Sequence, residues 1–575
     1  MKLETRHWAQ YLIIALVGIM AYSNTFCVPF IFDDKTSIVE NPAITDLSRF
    51  LSGEGVAYNA RRFVGYLSFA LNYSIGGLDV TGYHVVNLGI HIFSACLVAL
   101  LLRLTLQTPL FQKPHITSGK VCLNSLGLLP LLAALLFVAH PIQTQAVTYI
   151  VQRLASLASM FYLLSLVLYL KARLVTVLGE TSSGTGNTLR SGLTCYAGAL
   201  LAALCALATK EIAFTLPFAV ALYELCFFDT LRSRRRALML ALIIGGVAVA
   251  GAVIAAQQPL GELISDVSQR LRLQTEMPRW HYFLTQCTVI VTYLRLLFLP
   301  IGQNLDYDYP VYTSLLQPQV LFSLILLLLF CGLAIYLYLR VKPIVKGTLF
   351  IDRPEMRLIS FGIFWFFITL SIESSVIPIE DVIFEHRMYL PSVGAFLVLA
   401  SVMVLFVRSG RRGVTVFATV IVLLLASVTW GRNLTWKDGI TFWTDVVEKS
   451  PSKARAHLNL GVELEAKGRS QEAIAAFGKA LSLNPDYRQA YGNLGAAYNS
   501  LEAFEEAIVV LQEGLRRYPG DPDLCNNLGI SFAAKGSPEL AVAFFEAAVR
   551  LAPQIEKYRL NLATAQQETA QRQAR

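Results

Sequence analysis

Apolar runs recur through the first 430 residues, at 8–26, 84–106, 126–147, 154–172, 193–209, 212–228, 237–256, 319–339, 358–377, 391–407 and 413–430. An apolar run of about 17 to 25 residues crosses the hydrocarbon layer as a helix. The pattern therefore predicts about 11 spans. The stretch 281–299 is interrupted by His281, Gln286 and Arg295 and predicts a re-entrant or interfacial helix. Such a segment needs protein or a wet cavity to cover its polar groups.

From 454 the period changes. The blocks 454–487, 488–521 and 522–555 are each 34 residues long, with Gly461, Gly495 and Gly529 in one register. Ala473, Ala507 and Ala541 keep the same spacing, as do Pro485, Pro519 and Pro553. This is the tetratricopeptide pattern: small residues let two antiparallel helices approach, and the proline ends the second. Cys525 stands where an aromatic is more usual, and residues 556–575 begin like a fourth repeat, then turn polar as a capping helix does. The fold class is all-α: a polytopic helical bundle over 1–430, an interfacial linker helix over 431–453 and a tetratricopeptide solenoid over 454–575. Trp430, Trp436 and Trp443 are expected as interfacial anchors. The concave face of stacked repeats suits an extended peptide or partner helix, or else serves as an assembly scaffold.

Composition agrees with a membrane chain: 55% hydrophobic residues, 15% charged, mean hydropathy +0.53. Charge then sets orientation. The loops 103–125, 171–192, 229–236, 340–357 and 408–412 hold 18 Lys/Arg against 4 Asp/Glu and are expected in the cytoplasm. The alternate segments 27–82 and 371–389 are acidic. With the N-terminus inside, the acidic loops and the repeats face the extracytoplasmic side, of a bacterial inner membrane or of the endoplasmic reticulum. The first apolar run is too long for a cleavable signal. The nine cysteines form no CxxC pattern, which indicates neither a disulfide framework nor a zinc site. The net charge of +9 is a topology signal and implies no nucleic-acid partner.

Candidate chemistry gathers on the outer side. "FDDKTSIVENPAI" puts Asp33 and Asp34 just past the first span. Two adjacent acids in a partly desolvated site cannot both ionise freely, so one pKa should rise toward a value useful to a general base. A solvated loop pair or a helix cap is the plainer alternative. Lys210 and Glu211 lie in a hairpin between spans and could neutralise each other. Arg153 opens a span, Asp306 and Asp308 lie in "LDYDYP", and Glu385, His386 and Arg387 precede a span. Together they suggest a site for an anionic headgroup beside a base; singly, each could be an anchor or an ion pair. His84, Asn87 and His91 share a helix face and are expected to pack helices, whereas His140 before Pro141 is ambiguous.

The ordered set "FDD…NPAI", "HPIQTQAVTYIVQR", "TKE", "LDYDYP", "EHRMYLPSVG" and a repeat tail resembles the transmembrane-and-TPR-repeat O-mannosyltransferases, which are similar to other GT-C glycosyltransferases. The larger members carry more repeats. The resemblance implies a polyprenyl- or dolichyl-phosphate sugar donor, an extracytoplasmic protein acceptor held by the repeats, and surrounding membrane lipids. It implies Asp33, or its neighbour Asp34, as the base, and Lys210 as the phosphate cation, with Arg387 and Arg153 as further choices. His386 and Glu385 would line the donor site, and Glu211, Asp306, Asp308 and His140 a donor or acceptor pocket. No cofactor is expected; a divalent metal near the paired acids is a less favoured option. Rival functions are transfer of an oligosaccharide, transfer to a lipid or glycan, a transporter, or a non-catalytic repeat scaffold. A transporter would want its charges near the bilayer midplane.

Overall fold

The computed structural model describes residues 2–112, 126–179, 186–228, 277–341, 354–374, 378–406 and 411–573, and every regular element among them is helical. The expected span 237–256 and basic loop 229–236 lie outside the described residues, as do parts of the other basic loops. The chain forms two compact units, Met1–Leu305 with Tyr309–Lys437, and Asp306–Asp308 with Asp438–Arg575.

In the first unit the helices Val80–Thr105, Ile150–Thr176, Arg190–Leu207, Pro318–Arg340 and Arg412–Trp436 are long and apolar enough to cross a bilayer. Leu129–Ala139 and Pro141–Val147 make a sixth if they count as one span bent by 53°. Trp8–Ala21 and Pro391–Leu405 are shorter apolar helices. The apolar runs outlast the straight helices because turns claim their ends: 358–377 is helical from Glu355 only to Leu370, and 212–228 opens with the 3-10 turn Glu211–Thr215. The bend at His140 follows from Pro141, which disfavours helical backbone in the residue before it. His140 is extended there, with φ −78° and ψ 132°.

Close helix approach is built from glycine. Glu355–Leu370 packs along Pro391–Phe406, and a Cβ on Gly362 would stand 2.6 Å from the Gly394 carbonyl oxygen. Small residues at such a crossing replace the hydrophobic drive that lipid cannot supply. Arg279–Phe298 covers the segment expected to be re-entrant or interfacial. Its polar side chains bond to the loop before residue 385: Tyr282 Oη donates to the Glu373 carbonyl (3.1 Å), Gln286 Nε2 to Val382 (2.8 Å) and Tyr293 Oη to Phe384 (2.9 Å). Protein therefore covers these groups, as a helix of mixed polarity requires.

Hydrogen bonds and an ion pair tie helices together at the two ends of the bundle. At one end Arg103 bonds Gln10 and Tyr11, and Arg173 meets the buried Glu224 at 2.9 Å. At the other end Asn433 Nδ2 donates to the Ala21 carbonyl (3.1 Å), and Thr148 Oγ1 donates to Asn433 Oδ1 (2.8 Å). The candidate residues of the first unit lie at this second end.

In the second unit, helix pairs start at Ala454 and Ser470, Arg488 and Phe504, and Pro522 and Pro538, followed by Glu556–Gln573. The repeat glycines sit at the helix crossings: a Cβ on Gly529 would fall 2.7 Å from the Phe545 ring, and Gly461 and Gly495 face Phe477 and Leu511 in the same way. The stretch 431–453 is not one helix. Its first residues complete the helix Arg411–Asn433 and the turn Leu434–Trp436, and Gly439–Lys449 packs on the first repeat helix.

The tryptophans correct an expectation. Trp430 is 44% exposed and suits an interfacial anchor, but Trp436 is 2% and Trp443 1% exposed. Trp436 lies against Tyr149, with ring centroids 5.6 Å apart, and Trp443 is edge-on to Phe442. Their apolar area goes to protein cores and not to the headgroup layer.

Candidate functional site: an acid loop and a cation loop

The acid loop begins with backbone strain. Phe32 has φ 54°, in the left-handed region that costs a residue with a Cβ about 1 kcal/mol or more. The turn separates the two acids. Asp34 is buried; its Oδ1 accepts from the Val151 N–H (2.7 Å) and its Oδ2 from the Ile31 N–H (3.1 Å). Asp33 is exposed, and its backbone N–H donates to Tyr149 Oη (3.0 Å). One acid fastens the loop and the other faces outward. Burial pushes the Asp34 carboxyl up from 3.8 to about 8 against the pull of its backbone donors, and the charge of Asp33 adds a smaller rise. The expected rise thus falls on the buried acid, mainly through desolvation and not through the pairing of charges.

The segment 140–153 joins this loop to the cations. His386 N–H donates to Gln145 Oε1 (2.6 Å), four residues before the tyrosine that holds Asp33. Lys210 Nζ lies 2.7 Å from Glu373 Oε1, and both side chains are nearly buried. Among the described residues no acceptor is aligned with that ammonium for a hydrogen bond. Glu211 meets Arg62 at 3.6 Å, while its neighbour Lys210 acts on it more weakly, through charge. Lys210 is extended, with φ −158° and ψ 150°, which throws adjacent side chains to opposite sides.

Arg387 is buried and spans its own loop. Its Nη1 donates to the Val382 carbonyl (3.1 Å) and its Nη2 to Asp381 (2.8 Å). His386 stacks on Phe384 with centroids 5.1 Å apart. Burial pushes its imidazole far below the ordinary range, and Lys210, Arg387 and Arg62 push it the same way. It is neutral, so it contributes polarity to this cluster and no charge. Glu385 accepts from Gln303 Nε2 (2.6 Å) and from the Asn304 N–H (2.7 Å), which fixes the loop after Phe298.

Other candidates are spent elsewhere. Arg153 is wholly buried, and its three nitrogens donate to Asn87 Oδ1 (2.6 Å) and to the carbonyls of Ser68 (3.1 Å) and Tyr83 (3.0 Å). These bonds tie three segments of the bundle together through Arg153. His140 Nδ1 accepts from the Ile142 N–H (3.1 Å) and its Nε2 meets the Leu297 carbonyl (3.1 Å), so the ring caps a helix break. His84 and His91 likewise bond to backbone carbonyls, at 2.9 and 3.2 Å. Asp306 and Asp308 fold with the second unit: Asp306 pairs with Arg455 at 2.8 Å and Lys453 at 3.5 Å, and the Asp308 N–H donates to Ser450 Oγ (2.9 Å).

Sequence reasoning missed Glu373, Arg62 and Gln145. Glu373 lay unremarked in an acidic loop, and Gln145 carried a signal only as part of "HPIQTQ". No group of three or more His, Cys, Asp or Glu suited to a metal ion occurs among the described residues.

A tetratricopeptide repeat model matches residues 458–522 and 510–554. The chain is similar to protein O-mannosyl-transferase F38B6.6 of Caenorhabditis elegans, 24% identical over 500 residues that cover 83% of this chain and 63% of that protein. It is similar to protein O-mannosyl-transferase Tmtc3 of Drosophila melanogaster, 23% identical over 539 residues, 84% of this chain and 56% of that protein. Human protein O-mannosyl-transferase TMTC1 is 25% identical over 525 residues, 82% of this chain and 55% of that protein. The chain thus spans little more than half the length of these relatives. Its tail is a tetratricopeptide array, and the homologues that extend over its bundle are proteins named protein O-mannosyl-transferases.

Proposed function

We propose that the chain is a membrane glycosyltransferase that moves mannose from a polyprenyl or dolichyl phosphate to Ser or Thr hydroxyls of extracytoplasmic proteins. The names of its homologues support the reaction class. The observation that carries the site is the division of labour in the acid pair, where Asp34 is buried and spent on backbone donors and Asp33 is exposed. Asp33 takes the proton of the acceptor hydroxyl as its oxygen attacks the anomeric carbon. The bond from that carbon to the phosphate oxygen breaks, the lipid phosphate leaves from the opposite face, and the configuration inverts. Lys210 stabilises the charge that grows on the leaving phosphate, because a fixed cation in a dry site acts more strongly on a transition state than one in water. Arg387 holds the loop beside it and adds to the positive field. No step calls for a metal. The repeats hold the acceptor polypeptide and raise its effective concentration at the bundle.

The test uses the purified full chain in detergent with polyprenyl phosphate mannose and a Ser/Thr peptide. Asp33→Asn keeps the side-chain volume and removes the base. Transfer should drop on the order of 100-fold or more with donor binding retained. Equal rates in variant and wild type would remove Asp33 from the role.

A further inference from the structure

The acid that pairs with Lys210 has no part in the transfer step above. Glu373 lies in the turn just past the helix Glu355–Leu370, and its carboxylate lies 2.7 Å from the lysine ammonium. Lys210 is only 7% exposed, yet no acceptor among the described residues is aligned with its N–H bonds. The pair is held by charge and proximity alone. A buried cation with donors left over fits a second, better-aligned anion, since such donors are costly to leave unmade. The backbone of Glu373 does a separate job: its carbonyl accepts from Tyr282 Oη at 3.1 Å. Its side chain can therefore swing without releasing the loop.

We propose that Glu373 is a displaceable counterion of the donor site. Its carboxylate occupies the place on Lys210 that the lipid phosphate takes, and its return drives the spent lipid phosphate off. This rests on Lys210 as the phosphate cation. The donor is a phosphodiester with one negative charge, and the product is a phosphomonoester that carries up to two near neutral pH. Lys210 therefore holds the product more tightly than the donor, and an enzyme so built would stall on its product. A carboxylate waiting beside the lysine offers the ammonium another partner and repels the doubly charged phosphate. It costs some donor affinity and restores turnover.

The experiment compares wild type and Glu373→Gln, both full length in detergent. It measures KM for polyprenyl phosphate mannose, the inhibition constant for polyprenyl phosphate, and kcat. Glutamine keeps the shape and removes the competing charge. Both constants should fall roughly tenfold, the scale on which one partner of a desolvated charge pair acts. The kcat should fall with them as release becomes limiting. A merely structural ion pair predicts the reverse, since its loss leaves Lys210 misplaced and raises both constants. In a Lys210→Gln background, where only the direct repulsion remains, the second substitution should lower both constants far less than tenfold. Glu373→Asp, which retreats by one methylene and keeps the charge, should give values between wild type and Glu373→Gln, and it serves alone if the glutamine variant does not fold. Constants that rise or stay unchanged in both variants overturn the proposal. Wild-type protein that binds neither lipid overturns the donor assignment beneath it.

Discussion

At the scale of single residues, neighbours in sequence prove poor guides to partners in space. Asp33 and Asp34 are adjacent and chemically alike, but one turn at Phe32 leaves the first exposed and buries the second. Lys210 and Glu211 look self-neutralising, and an extended backbone sends them to Glu373 and Arg62 instead. The sequence displays which charges exist on the outer side. It cannot display the pairing, because an ion pair between residues 210 and 373 depends on how distant helices pack. The buried acid also has a signature in pH. Asp34 holds a proton in the fold up to about 8, and its ordinary value is 3.8. Between those values the fold binds a proton that the unfolded chain releases, so stability falls as pH rises across that window and is level above it. Asp34→Asn should flatten this part of the stability–pH curve, measured by thermal unfolding in detergent. It should also lower stability by about 1 to 3 kcal/mol, because the amide turns one acceptor into a donor that faces an N–H.

At the scale of elements, periodicity is the strongest signal wherever it reports a local rule. The repeat helices begin at Ala454, Arg488, Pro522 and Glu556, in the 34-residue register of the sequence. Each crossing needs a small residue, and that need is visible in one chain without any partner structure. Apolar runs report burial well and helix ends poorly, since a run stays apolar through the turn after Leu370 and the bend at His140. Trp436 and Trp443 show a second limit: aromatic residues beside a span serve a headgroup layer or a protein core, and composition does not separate the two. The glycine rule has a direct consequence. Gly495→Ala drives a Cβ into Leu511, which is wholly buried and must shift within its core to admit it. The cost should be about 1 to 3 kcal/mol, reduced by alanine's better helix propensity. Hydrogen exchange should rise across 488–521 of the second repeat and change less in the capping helix.

At the scale of the whole molecule, the two units differ in what holds them. The bundle relies on glycine crossings and on polar side chains that bond to one another and to backbone at its two ends, as lipid gives apolar faces no reason to meet. The repeats rely on small buried clusters, such as Leu458, Phe477 and Leu494, that pass from each pair of helices to the next. The second unit is also discontinuous in sequence, since it takes in Asp306–Asp308 from a point far earlier in the chain. A fragment comprising 438–575 would thus be born short of three of its own residues. Lys453 and Arg455 would lack the Asp306 carboxylate, and Ser450 would lack the Asp308 amide. A synthetic peptide of residues 303–309 supplies both, and mass action then stabilises the fragment in proportion to peptide occupancy. Its melting temperature should climb saturably with peptide concentration, and the same peptide carrying Asp306→Asn should leave it nearly unmoved. The polypeptide would in that sense be its own first ligand, reassembled from two strands of one gene.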